Sequence, residues 1–367
     1  MGEFSITKEK ILAALSTVEE PDLKKDLVSL NMIKDVEVGV NQVRFTVILT
    51  TPACPLKEVI KQRCVEALRR DLGEGFEIDI HMTSNVTSNA NKSIMLPGVK
   101  NIIAISSGKG GVGKSTVTAN LAMALKKAGA RVGILDADIS GPSIPIMFGA
   151  EDLQPLVSPR DGKNYISPIM QYGIKMISIG FLTPADSAVV WRGPMASQAL
   201  RQFFGDVDWG ELDYLLLDMP PGTSDIHLTL VQTVPVSGAV VVTTPQKVAV
   251  ADATKGGFMF SQGNINVPVL GVIENMSYFT PAELPENKYY IFGQGGGQQL
   301  ANKLGTELLG QLPMVQKIRE GGDEGRPVVM DDHELVTAAF KEVAEKLAQK
   351  IAIRNATMPA TEPVMVG

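Results

Sequence analysis

Gly108-Lys109-Gly110-Gly111-Val112-Gly113-Lys114-Ser115-Thr116 is the stretch that decides the fold of this chain. An apolar run, 101–107, precedes it, and a helix-like segment, 117–128, follows it. The stretch fits Gly-x-x-x-x-Gly-Lys-Ser, the phosphate-binding loop between a strand and a helix. Its glycines let successive backbone N–H groups approach phosphate oxygens without Cβ clashes. The following helix adds the positive end of its dipole, so the stretch predicts a site for nucleotide phosphates.

Side chains in and beyond this loop have the chemistry of a magnesium–nucleotide site. Lys114 supplies a positive charge for the β- and γ-phosphates, and Ser115 supplies a hydroxyl for Mg²⁺. Asp218 ends an apolar run, as expected of the aspartate on the Mg²⁺ side, although it could also cap a helix. The segment 220–223 follows it and can place a backbone N–H near a γ-phosphate.

Near-continuous apolar runs recur from about residue 98, with helical stretches between most of them. The runs are 102–105, 132–135, 214–217, 239–242 and 269–273. Such runs suit parallel strands covered on both faces. With a phosphate loop after the first strand, they predict a doubly wound, mostly parallel α/β sheet of the P-loop NTPase type. Asp136 and Asp138 end the second run, so both are expected near the phosphates, or as helix caps.

The pattern of the first 83 residues is different and predicts a small α+β domain. Its expected elements are a helix around 11–18, a hairpin of 36–40 and 43–49, a helix over 56–72 and a strand over 76–82. The polar stretch 84–97 predicts a linker, and 98–354 the nucleotide-binding domain. Within that domain, 333–351 has helical spacing and a mixed Glu and Lys face, which favours packing on the sheet over membrane-surface binding. Residues 355–367 are expected to form a loose tail.

Composition excludes several classes of protein. The chain has 367 residues, 44% of them hydrophobic, and a mean hydropathy of +0.10, as in soluble globular proteins. Its 40 acidic and 34 basic residues give a net charge of −6, which argues against nucleic acid as a main partner. No run is long enough to span a membrane, and the N-terminus opens no signal peptide. Two cysteines in so long a chain indicate a reducing compartment, so we expect a cytoplasmic protein.

Lys109 distinguishes this loop from an ordinary phosphate loop. With that second lysine, the sequence resembles the deviant Walker A ATPases, which include MinD, the ParA partition proteins and the nitrogenase iron protein. The resemblance implies that ATP joins two subunits into a homodimer and that hydrolysis releases them. It also implies that Lys109 reaches the partner subunit's nucleotide and that Asp138 orients the attacking water.

The resemblance narrows to the Mrp/ApbC family of iron–sulfur cluster carriers and covers about residues 8–350. The similar segments are Thr51-Pro52-Ala53-Cys54-Pro55, Trp191-Arg192-Gly193-Pro194-Met195, Asp218-Met219-Pro220-Pro221-Gly222-Thr223-Ser224-Asp225, Glu274-Asn275-Met276-Ser277-Tyr278-Phe279 and Arg319-Glu320-Gly321-Gly322-Asp323. The resemblance implies an ATPase that delivers clusters to apo iron–sulfur proteins together with assembly factors. It also implies that Asn275 recognises adenine, although by its position alone Asn275 could be a turn former at a strand end.

The chain departs from that family at the cluster ligands. Most members have Cys-x-x-Cys shortly after the Asn-Met-Ser-Tyr-Phe segment, whereas 280–288 here contains no cysteine. Iron–sulfur clusters need soft ligands, usually cysteines. Cys64 is expected to be a buried structural thiol. Cys54 precedes Pro55 and is expected at a helix N-cap, where it could ligate a cluster or have no chemistry.

Two functions therefore stay open at this point. The first is a Mg-ATP-dependent carrier or assembly factor for iron–sulfur clusters. In a variant of this function, the chain is a scaffold for assembly that acts through its N-terminal domain. The second is an ATP-gated interaction switch of the MinD/ParA kind that carries no cluster.

Overall fold

The structure is a computed structural model that describes residues 6–89, 95–139, 141–160, 162–181, 193–262, 265–281, 283–284, 286–331 and 333–363. The chain divides into two compact units. The first comprises Met1–Thr87 and Ala348–Met358, and the second comprises Ser88–Leu347 and Pro359–Gly367. Trp191 and Arg192, which contribute to one of the segments named above, lie outside the described residues.

The first unit is an α+β fold. Its elements in chain order are α1 Lys8–Leu15, β1 Glu19–Glu20, β2 Lys25–Asp26, β3 Ile33–Val38, β4 Gln42–Leu49, α2 Lys57–Leu72 and β5 Glu77–Ser84. β3 and β4 form the predicted antiparallel hairpin, and β5 lies parallel to β4 on its other side. Alternate residues of β4 are buried, because only one face of this sheet packs on α1 and α2.

The second unit is built on one large sheet. Its elements in chain order are β6 Ile102–Ser107, α3 Lys114–Lys127, β7 Val132–Asp136, α4 Ile144–Met147, β8 Val157–Arg160, β9 Lys163–Ile166, β10 Ile169–Gln171, β11 Ile174–Ser178, α5 Gly193–Gly205, β12 Tyr214–Asp218, α6 Asp225–Thr233, β13 Gly238–Thr243, α7 Lys247–Ser261, β14 Val269–Phe279, α8 Gly296–Leu304, β15 Leu308–Met314, α9 Gln316–Asp323 and α10 Glu334–Thr357, whose residues from Ala348 onward belong to the first unit. Two short 3₁₀ turns, Ile179–Phe181 and Val328–Asp331, complete it. β8 and β9 pair only with each other, as a separate hairpin.

The strand order of the large sheet is β10-β11-β7-β12-β6-β13-β14-β15. Each neighbouring pair is parallel except β10 with β11 at one edge, which confirms the mostly parallel, doubly wound prediction. All residues of β6, β7, β12 and β13 are buried, as helices on both faces require. β12 lies between β6 and β7, so the loop that follows β6 sits where ligands bind in open α/β sheets.

Two sequence-derived boundaries need correction. The predicted helix 333–351 is α10, which begins at Glu334 and continues to Thr357, so residues 355–357 of the predicted tail are helical. The helix can continue there because its last turn contains no glycine or proline. Its residues Val336, Phe340, Val343 and Leu347 are buried on one face, as expected of a packing helix. Among the described residues, no helix has the length and apolar character needed to cross a membrane.

Candidate nucleotide-binding site

The loop between β6 and α3 is shaped by glycines with two different tasks. Gly111 and Gly113 have φ values of 84° and 77°, which residues with side chains rarely adopt. A Cβ on Gly110 or Gly111 would point into open space, whereas a Cβ on Gly108 would collide with the backbone of Asp252 and Ala253 in α7. The loop is thus an open cradle of backbone groups at Gly110 and Gly111, whereas Gly108 packs tightly on a helix.

Asp218, at the end of β12, is fully buried and lies at the centre of a polar cluster. Its Oδ1 lies 2.9 Å from the Lys114 ammonium, and its Oδ2 accepts a hydrogen bond of 2.5 Å from the Ser115 hydroxyl. The Thr118 hydroxyl donates to Oδ1 at 2.7 Å. The structure therefore brings Lys114, Ser115 and Asp218 together. The sequence interpretation missed Thr118, although its spacing of four from Lys114 puts both on one face of α3.

Asp136, the last residue of β7, and Asp138, just after it, have different contacts. Asp138 lies near the loop, with its Oδ2 3.9 Å from the Lys114 ammonium. Asp136 is fully buried and accepts hydrogen bonds from the Asp138 N–H at 3.2 Å, the Ser178 hydroxyl at 3.0 Å and the Ile144 N–H at 3.3 Å. Burial and the neighbouring carboxylate of Asp218 raise the pKa of Asp136 well above its usual range. Asp136 therefore anchors the segment after β7, and Asp138 is the acid at the cleft.

A cleft of about 200 Å³ lies over the loop. Lys109, Asp138 and Pro221 line it together with loop residues 110–116. Lys109 is half-buried, and its backbone carbonyl accepts a hydrogen bond from the Ser107 hydroxyl. The Gly222 N–H, in the segment predicted to approach a γ-phosphate, donates to the Ser107 carbonyl at 2.8 Å.

A second, more apolar pocket of about 350 Å³ adjoins the loop at Gly113 and Thr116. Asn275 and Met276 form one wall, and Ile318 of α9 lies in its lining. The Asn275 amide donates to the Val112 carbonyl at 2.8 Å, so its side chain contacts the phosphate loop. Asn275 does not lie at a strand end as expected, because β14 continues through it to Phe279 with an irregular register.

His227 is a buried residue of this region that the sequence interpretation did not assign. It lies in the first turn of α6, where its Nδ1 accepts a hydrogen bond from the Ser224 N–H at 3.2 Å. Its Nε2 is buried without a partner among the described residues. Burial, with a smaller effect of the Lys114 charge, lowers the pKa of His227 to about 4. The signal in the sequence was its place three residues after Ser224, the spacing of a capping box.

The cysteines lie in the first unit. Cys64 is fully buried in α2, as predicted, and burial raises the pKa of its thiol to about 12. Cys54 is half-buried but is not the N-cap of α2, because Pro55 and Leu56 form a turn and the helix begins at Lys57. The expected N-cap position of Cys54 was therefore wrong. Within the described ranges, no group of three or more His, Cys, Asp or Glu side chains is arranged to hold a metal ion.

Aromatic side chains pack together in and near the segment that follows β14, which lacks the cysteine pair of most family members. The rings of Tyr278 and Tyr290 meet edge to face at 6.4 Å between centroids, and the Lys288 ammonium lies 4.4 Å from the centre of the Tyr278 ring.

The donor set of the loop fits a magnesium nucleotide. Mg²⁺ prefers hard oxygen ligands, and the Ser115 hydroxyl and Asp218 carboxylate are such ligands beside the loop. The open backbone cradle and the Lys114 ammonium fit phosphate oxygens. The cleft continues into the apolar pocket at Gly113, as a base attached to those phosphates requires.

The comparisons with known families agree with this geometry. Residues 98–351 match the family described as NUBPL iron-transfer P-loop NTPase, and residues 8–80 match the family described as iron–sulfur cluster assembly protein. The chain belongs to the Mrp/ApbC family of iron–sulfur cluster carriers. The P-loop NTPase fold and the assembly-type first domain expected from the sequence are thereby confirmed.

Curated relatives match over nearly the whole chain. One from Synechocystis sp., named iron–sulfur cluster carrier protein, is 47% identical and covers 95% of this chain and 99% of that protein. Another of the same name from Escherichia coli K12 is 44% identical and covers 95% of this chain and 94% of that protein. Among solved structures, a nucleotide-binding protein from Archaeoglobus fulgidus in complex with ADP is 42% identical, with a TM-score of 0.55. That match covers 64% of this chain and 90% of the other.

Proposed function

We propose that this protein is an ATP-dependent carrier of iron–sulfur clusters that binds and hydrolyses Mg-ATP as a homodimer and delivers clusters to apo-proteins. The observation that carries the ATPase part is the convergence of Lys114, Ser115 and Asp218 at a glycine cradle beside an apolar pocket. The carrier part is supported by relatives named iron–sulfur cluster carrier protein that cover 95% of the chain.

In this proposal, each residue of the site has a separate role in phosphoryl transfer. Lys114 exchanges its contact with Asp218 for phosphate oxygens, and the backbone N–H groups of 110–113 hold those oxygens in place. Ser115 and Asp218 would hold Mg²⁺, which would neutralise charge on the phosphates. Asp138, at the cleft, orients the attacking water. Lys109 reaches the nucleotide of the second subunit, which makes dimerisation depend on ATP.

The iron–sulfur cluster is cargo for this protein, and its ligands are few. Cys54 is the candidate ligand because it is half-buried, whereas Cys64 is enclosed in the core of the first unit. Two Cys54 thiolates of a homodimer supply two ligands. Assembly factors, glutathione or the receiving apo-protein would supply the others.

Nucleotide turnover tests the ATPase part. Calorimetry with Mg-ATP is expected to show binding by the wild-type protein. Lys109→Ala and Asp138→Ala should both suppress ATP turnover, and Lys317→Ala, on the exposed side of α9, is the matched control. Normal turnover in the first two variants would contradict their assigned roles, and no heat of binding in the wild type would overturn the site itself.

Anaerobic reconstitution with iron and sulfide tests the carrier part. Bound iron and charge-transfer absorbance are measured for the wild type, Cys54→Ala and Cys64→Ala. We expect Cys54→Ala to lose bound iron and Cys64→Ala, if folded, to retain it. The wild-type cluster should also pass to an apo iron–sulfur protein. Negligible iron in the wild type as well as in both variants would remove the carrier function.

One observation favours a second candidate function. The segment 280–288 contains no cysteine, so the ligand pair that most family members have is absent. An ATP-gated interaction switch, which positions or activates a protein partner, needs the nucleotide site but no cluster ligand. Normal ATP turnover together with no iron uptake would favour this switch.

A further inference from the structure

The wall of the apolar pocket is formed by an irregularity in β14. Glu274 pairs with Gln311 of β15, and the next pair is Tyr278 with Pro313. Three residues of β14, 275–277, therefore face a single residue of β15. We call these three residues the 275–277 bulge. Met276, at its centre, has a φ of 52°, which is unfavourable for a residue with a side chain.

This bulge does not relax into a regular strand because a buried carboxylate fixes both its ends. Glu274 is fully buried, and its Oε1 accepts hydrogen bonds from the Ser277 hydroxyl at 2.8 Å and the Gln311 amide at 2.7 Å. Its Oε2 accepts from the Gly297 N–H in the first turn of α8. A buried carboxylate requires such donors, because an unsatisfied one is costly. Ser277 closes the bulge, Gln311 fixes the register and Gly297 ties both to a helix.

The bulge determines which groups the pocket presents. Asn275 reaches the Val112 carbonyl from it, and Met276 lies in the pocket wall beside it. In a regular strand, successive side chains point to opposite faces, so Asn275 and Met276 could not both line one pocket. The bulge removes that constraint, and Glu274 holds the bulge.

We propose that Glu274 is a positioning residue that sets the affinity of the site for the nucleoside part of its ligand through the 275–277 bulge. This inference rests on the proposed ATP binding and deepens it. Glu274 does not line the pocket, and the three hydrogen bonds that its carboxylate accepts all come from other residues of the protein. Its effect must therefore pass through Asn275 and Met276. The phosphate cradle, which is built from 108–115, meets the bulge at the Asn275 amide, but its Lys114 and Ser115 side chains are held by Asp218.

Calorimetry with two ligands tests this inference. Mg-ATP carries the nucleoside and the phosphates, whereas Mg-tripolyphosphate carries the phosphates alone. In Glu274→Gln, an NH₂ group replaces one carboxylate oxygen and faces either the Gly297 N–H or the Ser277 and Gln311 donors. A donor then meets a donor, so the network breaks although the side chain keeps its volume. We expect Mg-ATP affinity to fall about tenfold, which is the effect of one misplaced hydrogen-bonding contact, and tripolyphosphate affinity to change less than twofold.

Gln311→Met is the milder variant, because it removes one donor from a largely exposed side chain and keeps the carboxylate. It should lower the affinity for Mg-ATP about threefold and leave the affinity for Mg-tripolyphosphate nearly unchanged. Gln298→Met, which removes an exposed pair on α8 with Asn302, is the control and should bind both ligands normally. Equal losses for both ligands in Glu274→Gln and Gln311→Met, or no loss for either, would overturn the inference. If the wild type binds neither ligand, the proposed function itself fails.

Discussion

Replacing His227 by glutamine is expected to remove a pH-dependent loss of stability from the second unit. The pKa of His227 is about 4 in the folded protein, against an ordinary value of 6.5. Below pH 6.5 the unfolded chain takes up a proton that the folded protein refuses. The contribution of His227 to stability is therefore fully present above pH 6.5 and is lost as the pH falls towards 4. Between pH 7 and pH 5 the loss amounts to about 2 kcal/mol, at about 1.4 kcal/mol per unit of pKa.

Glutamine is the matched replacement because of where His227 lies. The residue has 1% of its surface exposed, its Nδ1 accepts from the Ser224 N–H, and its Nε2 has no partner in the described part of the chain. A glutamine at the same third position of a helix can accept that bond and complete the capping box. The variant therefore keeps the cap and removes only the titration.

The assay is denaturant unfolding at pH 7 and pH 5, followed by tryptophan fluorescence. Both tryptophans of the chain, Trp191 and Trp209, fall within Ser88–Leu347, so the signal reports on the second unit alone. We expect the wild type to lose about 2 kcal/mol more than His227→Gln on acidification. His81→Gln, an exposed histidine of the first unit, should behave like the wild type. Equal losses in the wild type and His227→Gln would refute the reasoning.

Three further predictions concern residues around the loop and the thiols. A thiol reagent should label Cys54 in the folded protein and Cys64 only after denaturation, because burial raises the pKa of Cys64 to about 12. Gly108→Ala should lower the free energy of unfolding by about 1–3 kcal/mol through its collision with α7, as seen by thermal denaturation. Gly110→Ala should leave thermal stability unchanged, since its Cβ points into open space, yet weaken Mg-ATP binding in calorimetry.

The fold could be predicted from the sequence because its signals are local. Five buried strands were found as continuous apolar runs, and all five appear in the sheet. β10, β11 and β15 were not predicted, and in β11 a lysine interrupts the apolar run. β10 is a three-residue edge strand, and β15 contains a glycine and a proline that interrupt its apolar pattern. Sequences of this kind have no periodic pattern that distinguishes a short or interrupted strand from a loop.

The site was predictable to the extent that its residues belong to one motif. Lys114 and Ser115 follow from the loop, and Asp218 follows from its place at the end of a buried strand. Thr118 and Ser178 could not be found in the same way, because each acts by a hydrogen bond to an acid distant in the chain. The N-cap expected at Cys54 failed for a different reason. Pro55 is compatible with a turn as well as with a helix start, and the turn prevailed.

The contacts within the loop also bear on the strength of nucleotide binding. Lys114, Ser115 and Thr118 all contact Asp218, and the Gly222 N–H is bonded to the Ser107 carbonyl. A nucleotide that takes Lys114, Ser115 and the Gly222 N–H for itself must replace these bonds. The net affinity is therefore the difference between new and existing contacts. A Mg²⁺ ion bound as proposed would compensate the Asp218 carboxylate, which would otherwise be left buried with the Thr118 hydroxyl as its remaining side-chain donor.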